Sequence, residues 1–160
     1  MTTKNWFNIN ETSRNSPSIS IFKKRILAFI RPAPRGTFKI CNTDGLRHLI
    51  RLRVGLSHLN AHKFNHGFND TLNPLCSCAL AVEDNQHFLL HCRHFTNHRL
   101  KLIDKVKAIY PQFTSLSDLM RVDTLLFGSN SLSNLNNKFL LEASIEFIIS
   151  TGRFSDPLIC

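Results

Sequence analysis

Apolar residues recur along the chain at helical spacing far more often than they alternate. From Ser18, the positions Ile19, Phe22, Ile26, Phe29 and Ile30 fall three or four apart, with Lys23, Lys24 and Arg25 directed elsewhere, until Pro32 and Pro34 stop the run. Residues 1–16 are polar and without period and read as a tail or the truncated end of something longer. Thr43 and Asp44 offer N-cap chemistry to a second helix carrying Leu46, Leu49, Ile50 and Leu56, with Arg47 and Arg51 four apart on one face and its end weakened by Gly55 and Ser57. The His-rich stretch Ser57 to Phe68 predicts a short helix closed by Gly67, and Asn69 to Pro74 reads as loop.

Glu83 to His91 is predicted helical, and a further helix runs through Leu100, Ile103, Val106 and Ile109 to Pro111. Ser115 to Phe127 forms another apolar-periodic piece before Gly128. The last helix is predicted over Ser133 to Ser150, with Leu135, Phe139, Leu140, Ala143, Phe147 and Ile148 as its apolar stripe and Gly152 as its stop. With no sustained alternation and no internal repeat, the expected class is mainly α, a small helical domain with an embedded zinc-knuckle-like loop. Three stretches follow in order: a linker-like segment with one basic helix over 1–42, a basic helix with a cysteine-rich region over 43–110, and a helical segment over 111–160.

The 160 residues suit one ordinary domain, and 42% hydrophobic content excludes a disordered polyelectrolyte. No stretch of eighteen apolar residues occurs, so no membrane partner is expected, and no apolar h-region follows Met1. An intracellular location, nuclear or cytoplasmic, and reducing conditions follow. Charge changes the picture more. Lys and Arg total 20 against 11 Asp and Glu, a net +9. Ten of those basic residues lie between Ile21 and His66 against the single acid Asp44, so the remainder of the chain nets zero. Such segregation suits a phosphate backbone, because each neutralised phosphate releases condensed counterions. A solvated helix face is the bland alternative. The candidate phosphate contacts are Lys23, Lys24, Arg25, Arg47, Arg51, Arg53 and Lys63.

The sharpest chemical signal is Cys76-Ser77-Cys78, then His87, then Cys92, a C-x-C-x8-H-x4-C spacing. Two cysteines one residue apart in extended backbone point to the same side, and the intervening chain is long enough to return a helix bearing His87 towards them. Three thiolates and an imidazole make a closed tetrahedral set suited to structural Zn2+, with no open position for hydrolysis. On an ideal helix, however, residues 87 and 92 lie about 140° apart while 87 and 91 lie about 40° apart. His91 is therefore an alternative to Cys92, which is preferred because thiolate is the stronger zinc ligand. The odd count of five cysteines argues against a disulfide framework, leaving Cys41 and Cys160 as free thiols. His58, His62 and His66 repeat every four residues, as a second metal site, a phosphate-facing surface or ordinary surface histidines would. No Ser/His/Asp order, glycine-rich phosphate loop, H-E-x-x-H or paired carboxylates stand out, so no enzymatic activity is expected.

These residues carry a resemblance. Arg-Leu-Arg-Val-Gly-Leu-Ser-His-Leu-Asn from Arg51, His-Lys-Phe-Asn-His-Gly-Phe, Leu-Asn-Pro-Leu-Cys-Ser-Cys and His-Phe-Leu-Leu-His-Cys resemble the C-terminal tail of non-LTR (LINE-type) retrotransposon reverse transcriptases. Arg14 to Lys24 with Phe29-Ile30-Arg31-Pro32 resembles the linker after the polymerase, and Leu125-Leu126-Phe127-Gly128 with the last helix resembles the extreme end. The resemblance implies a zinc-knuckle-like site at Cys76, Cys78, His87 and Cys92, supporting Cys92 over His91, and a role in holding template RNA or target DNA. No Tyr/Phe-x-Asp-Asp motif is present, so the chain reads as a fragment without the polymerase core. A full-length retrotransposon polymerase is then a candidate partner, with a docking piece or a relic of a mobile element as the other readings.

Overall fold

The structure, a computed structural model, describes residues 42–155. The expected first helix with Lys23, Lys24 and Arg25, and the thiols of Cys41 and Cys160, lie outside the described residues. Helix α1 spans Thr43–Val54. Its cap is Asn42, whose side-chain oxygen accepts from the Gly45 backbone N–H at 2.9 Å, and Thr43 and Asp44, expected as caps, are its first helical residues. Gly55 ends it in the left-handed conformation, φ 73°, which puts Leu56 past the helix and 49% exposed instead of on its apolar stripe.

Helix α2, Asn60–Asn65, is the short helix expected in the His-rich stretch. Helix α3 spans Thr96–Ile109, α4 spans Asp118–Phe127 and α5 spans Asn134–Ser150. The piece expected from Ser115 to Phe127 is instead a 3-10 turn, Pro111–Ser115, followed by α4 behind the cap Ser117. Ser133 caps α5 by accepting from the Asn136 N–H at 3.2 Å. Among the described residues there is no strand, only an isolated antiparallel bridge between Leu75 and Val82. The fold is mainly α, as the periodicity predicts.

Helix α5 sits at the centre, packed against α1, α3 and α4. Leu140, Leu141, Ala143, Ile145, Phe147 and Ile148 are all buried, and they cover more than one face because neighbours lie on several sides. The stripe expected to begin at Leu135 and Phe139 is absent there, both residues being about half exposed: Leu135 precedes the first buried position, Asn137, and Phe139 lies on the face away from the buried Asn137, Leu140 and Leu141. In α3 the buried positions are Arg99, Leu102 and Val106, so Leu100 points outward. Phe88 is fully buried and meets Phe95, Phe147 and Phe154 with ring centroids 5.3–5.4 Å apart. That aromatic cluster anchors the cysteine-rich region to the helical core.

Candidate metal centre and cationic groove

The chain from Pro74 to Glu83 folds back on itself. Cys76 N–H donates to the Ala81 carbonyl at 2.9 Å and Glu83 N–H to the Pro74 carbonyl at 2.8 Å, flanking the Leu75–Val82 bridge. A tight turn then closes with Ala79 N–H on the Cys76 carbonyl at 2.8 Å, and Ala79 takes the left-handed conformation at φ 60°. This places the Cys76 and Cys78 sulfurs on one side. The Cys78 N–H lies 3.5 Å from the Cys76 sulfur, a backbone donor suited to a thiolate.

His87 and Cys92 come from the next element. Asp84 accepts from the His87 N–H at 2.8 Å and starts the turn. His87–His91 is then not α but a π turn, closed by the Cys92 N–H on the His87 carbonyl at 2.7 Å. An i→i+5 bond brings the fifth residue back over the first, which an α-helix would not do. Cys92 therefore faces inward with His87. His91 is turned outward, its Nε2 2.7 Å from an Asp118 carboxylate oxygen. The predicted helix from Glu83 gives way to this turn, and Glu83 itself stays in the preceding loop.

Cys76, Cys78, His87 and Cys92 form a buried group whose donor atoms all lie within 4.8 Å of one another and can hold a metal ion. The Cys76 and Cys92 sulfurs are 3.6 Å apart and the Cys78 sulfur is 3.2 Å from His87 Nε2. The two neighbouring thiols differ. Burial pushes Cys76 up to about 12, while the Leu80 backbone N–H, followed by smaller influences, draws Cys78 below the usual thiol range. Burial also lowers His87, favouring the neutral imidazole that a metal needs.

Two arginines flank the group. Buried Arg99 donates from Nε to the Leu89 carbonyl at 3.0 Å and from its terminal nitrogen to the Cys92 carbonyl, holding the middle of the π turn and the residue that follows it. Arg153 reaches Glu83 with two bonds of 2.6 Å, one to each carboxylate oxygen. Glu83 is 2% exposed and also accepts from the Asn60 N–H at 2.8 Å, so one carboxylate joins α2, the cysteine loop and the chain after α5. Neither role was visible in the sequence reading, since Arg153 and Glu83 lie 70 residues apart.

A concavity of about 500 Å3 lies beside α1 and gathers Arg47, His48, Arg51 and His58 over Ile148 and Phe154. A second, of about 360 Å3, shares His58, Phe154 and Ser155 with it and adds Lys63, Phe68, Asp70 and Arg153. The two concavities adjoin through these three shared residues, a groove in two parts. His48 stacks on Phe154 with centroids 5.1 Å apart, and burial first, then Arg51, His58 and Arg47, lower its pKa. Arg47 pairs with Asp44 at 3.2 Å, and Lys63 pairs with Asp70. Arg53 is elsewhere: its Nε donates to the Leu126 carbonyl and its guanidinium lies 5.4 Å from the Phe127 ring centroid, with burial lowering its pKa to about 10. Of the sequence candidates among the described residues, the groove thus unites Arg47, Arg51 and Lys63, while Arg53 caps the end of α4. No family model, no curated protein and no solved structure matches the chain.

The three histidines spaced four apart do not assemble a second centre. Among the described residues the cysteine-histidine group is the only cluster of its kind. His62 Nδ1 meets Ser57 Oγ at 2.5 Å, His66 follows the end of α2, and only His58 reaches the groove.

Proposed function

We propose that the chain is a nucleic-acid-binding module that holds the phosphate backbone of RNA or DNA in the cationic groove, beside a structural zinc site, and has no catalysis of its own. The observation that carries this reading is the convergence of Arg47, His48, Arg51 and His58 on one concavity whose lining holds a single carboxylate, Asp44. Among the described residues the Arg51 guanidinium has no ion-pair or hydrogen-bond partner, and mutual repulsion of such groups is relieved by a polyanion. The resemblance to the tails of LINE-type reverse transcriptases supports the same reading. Zinc suits the donor set: with metal–sulfur bonds of about 2.3 Å, a tetrahedral site has sulfur–sulfur edges of about 3.8 Å, close to the 3.6 Å between Cys76 and Cys92. Cys76, Cys78, His87 and Cys92 would hold the ion, which supplies a cross-link between the hairpin-like loop and the π turn. Three thiolates around Zn2+ leave a net negative charge, and Arg99 and Arg153 lie where they offset it.

The test is equilibrium binding of a fluorescent oligonucleotide across about 50–200 mM salt. Affinity is expected to fall steeply with salt, and Arg51→Gln to weaken it and reduce the logarithmic salt slope by about 0.7 for a single strand or about 0.9 for a duplex. No detectable binding, or binding indifferent to salt, would overturn the proposal.

A further inference from the structure

The groove has two chemically different ends. At the α1 end Arg51 supplies unpaired charge beside Arg47, which pairs with Asp44, and His48 and His58 add donors. At the other end Asp70 already pairs with Lys63, and Glu83 with Arg153, so little uncompensated charge is left to attract a phosphate. What that end offers is Phe68. The residue is 53% exposed and belongs to neither buried apolar cluster. Its backbone is nonetheless held on both sides, by its N–H on the Lys63 carbonyl at 3.1 Å and by its carbonyl accepting from the Thr71 N–H at 3.2 Å. An exposed aromatic side chain on an anchored backbone, at the edge of a groove that carries cations, is a platform on which an unpaired base stacks.

Size points the same way. A space of about 360 Å3 has the dimensions of a small-ligand pocket and is large enough for one base. In a duplex the base faces are stacked on one another and only their edges are reachable, so the Phe68 ring would have nothing to meet.

Resting on the nucleic-acid reading above, we infer that the groove selects single strands, with phosphates at the Arg47–Arg51 end and one base stacked on Phe68. RNA and DNA share this chemistry, and sequence preference is weak, because every base has a π face.

The experiment compares 12-nucleotide RNA and DNA single strands with the duplex of the same sequence, at one salt concentration, on the full chain. Single strands are expected to bind more tightly. Phe68→Ala weakens them roughly five- to hundredfold, the range of single stacking contacts. Phe68→Leu keeps apolar bulk without a π face and is expected to lose binding similarly, whereas Phe68→Tyr retains it. Circular dichroism establishes that each variant is folded. Equal or tighter duplex binding, or unchanged single-strand affinity in folded Phe68→Leu, would overturn the inference while leaving the nucleic-acid reading standing. If neither strands nor duplex bind, the nucleic-acid reading fails first, and this inference with it.

Discussion

Glu83 shows how much one residue carries in this molecule. Its carboxylate is almost wholly buried, faces Arg153 through both oxygens and accepts a backbone N–H at the start of α2. A buried carboxylate left without its partner keeps the cost of desolvation and loses the attraction that offsets it. Arg153→Met is therefore expected to destabilise the chain by on the order of 3 kcal/mol, the low end of the range for buried pairs because the arginine side chain is 26% exposed. Urea unfolding measures this, and an unchanged midpoint would contradict it. The four residues of the cysteine-histidine group were legible in the sequence because cysteine and histidine at short spacing restrict the chemistry. Glu83 and Arg153 were not, since a pair 70 residues apart leaves no local pattern. The surroundings of Arg53 are hidden for a related reason. In the sequence it is one more cation in a basic run, and only the approach of α4 gives it the Leu126 carbonyl and the Phe127 ring.

At the scale of elements, the π turn resolves the difficulty that ideal-helix geometry raised for Cys92. The sequence offers both Cys92 and His91, and α-helical projection favours His91. The anchoring of Phe88 and Leu89 in the core, together with Arg99 on the Leu89 and Cys92 carbonyls, holds the wider turn that reverses the choice. Helix periodicity otherwise located α1, α3 and α5, and their registers were read less well. A helix packed from several sides, such as α5, has no single stripe to read, and in α3 the buried positions are Arg99, Leu102 and Val106, of which the expected stripe Leu100, Ile103, Val106 and Ile109 contains only Val106. The crossing of α1 and α5 depends on Gly45. A methyl group there would lie 2.4 Å from Ile145 Cγ2 and 2.7 Å from Ile149 Cδ1, inside contact distance. Overpacking costs about 1–3 kcal/mol, and the gain in helix propensity offsets at most about 1 kcal/mol of it. Gly45→Ala is expected to lower the thermal midpoint by a few degrees, and an equal or higher midpoint would show that the helices can move apart freely.

For the molecule as a whole, the parts form a chain of mechanical support. Phe88 fastens the π turn to the helical core, the cysteine loop closes on that turn, and Glu83 ties the loop to Arg153 in the wall of the groove. In the proposed module a metal ion at the cysteine-histidine group stiffens the groove from behind without touching its ligand. No helix among the described residues is long and apolar enough to cross a membrane. The charge excess concentrated between Ile21 and His66 then has a partial destination, because Arg47, Arg51 and Lys63 from that segment line one groove. All of this rests on the ion and its fourth ligand, and one measurement addresses both: elemental analysis of protein purified under reducing conditions, alongside Cys92→Ser and His91→Ala. The expected result is one zinc per chain in the parent protein and in His91→Ala, with zinc lost from Cys92→Ser. A parent protein without metal, or zinc kept by Cys92→Ser and lost from His91→Ala, would contradict it.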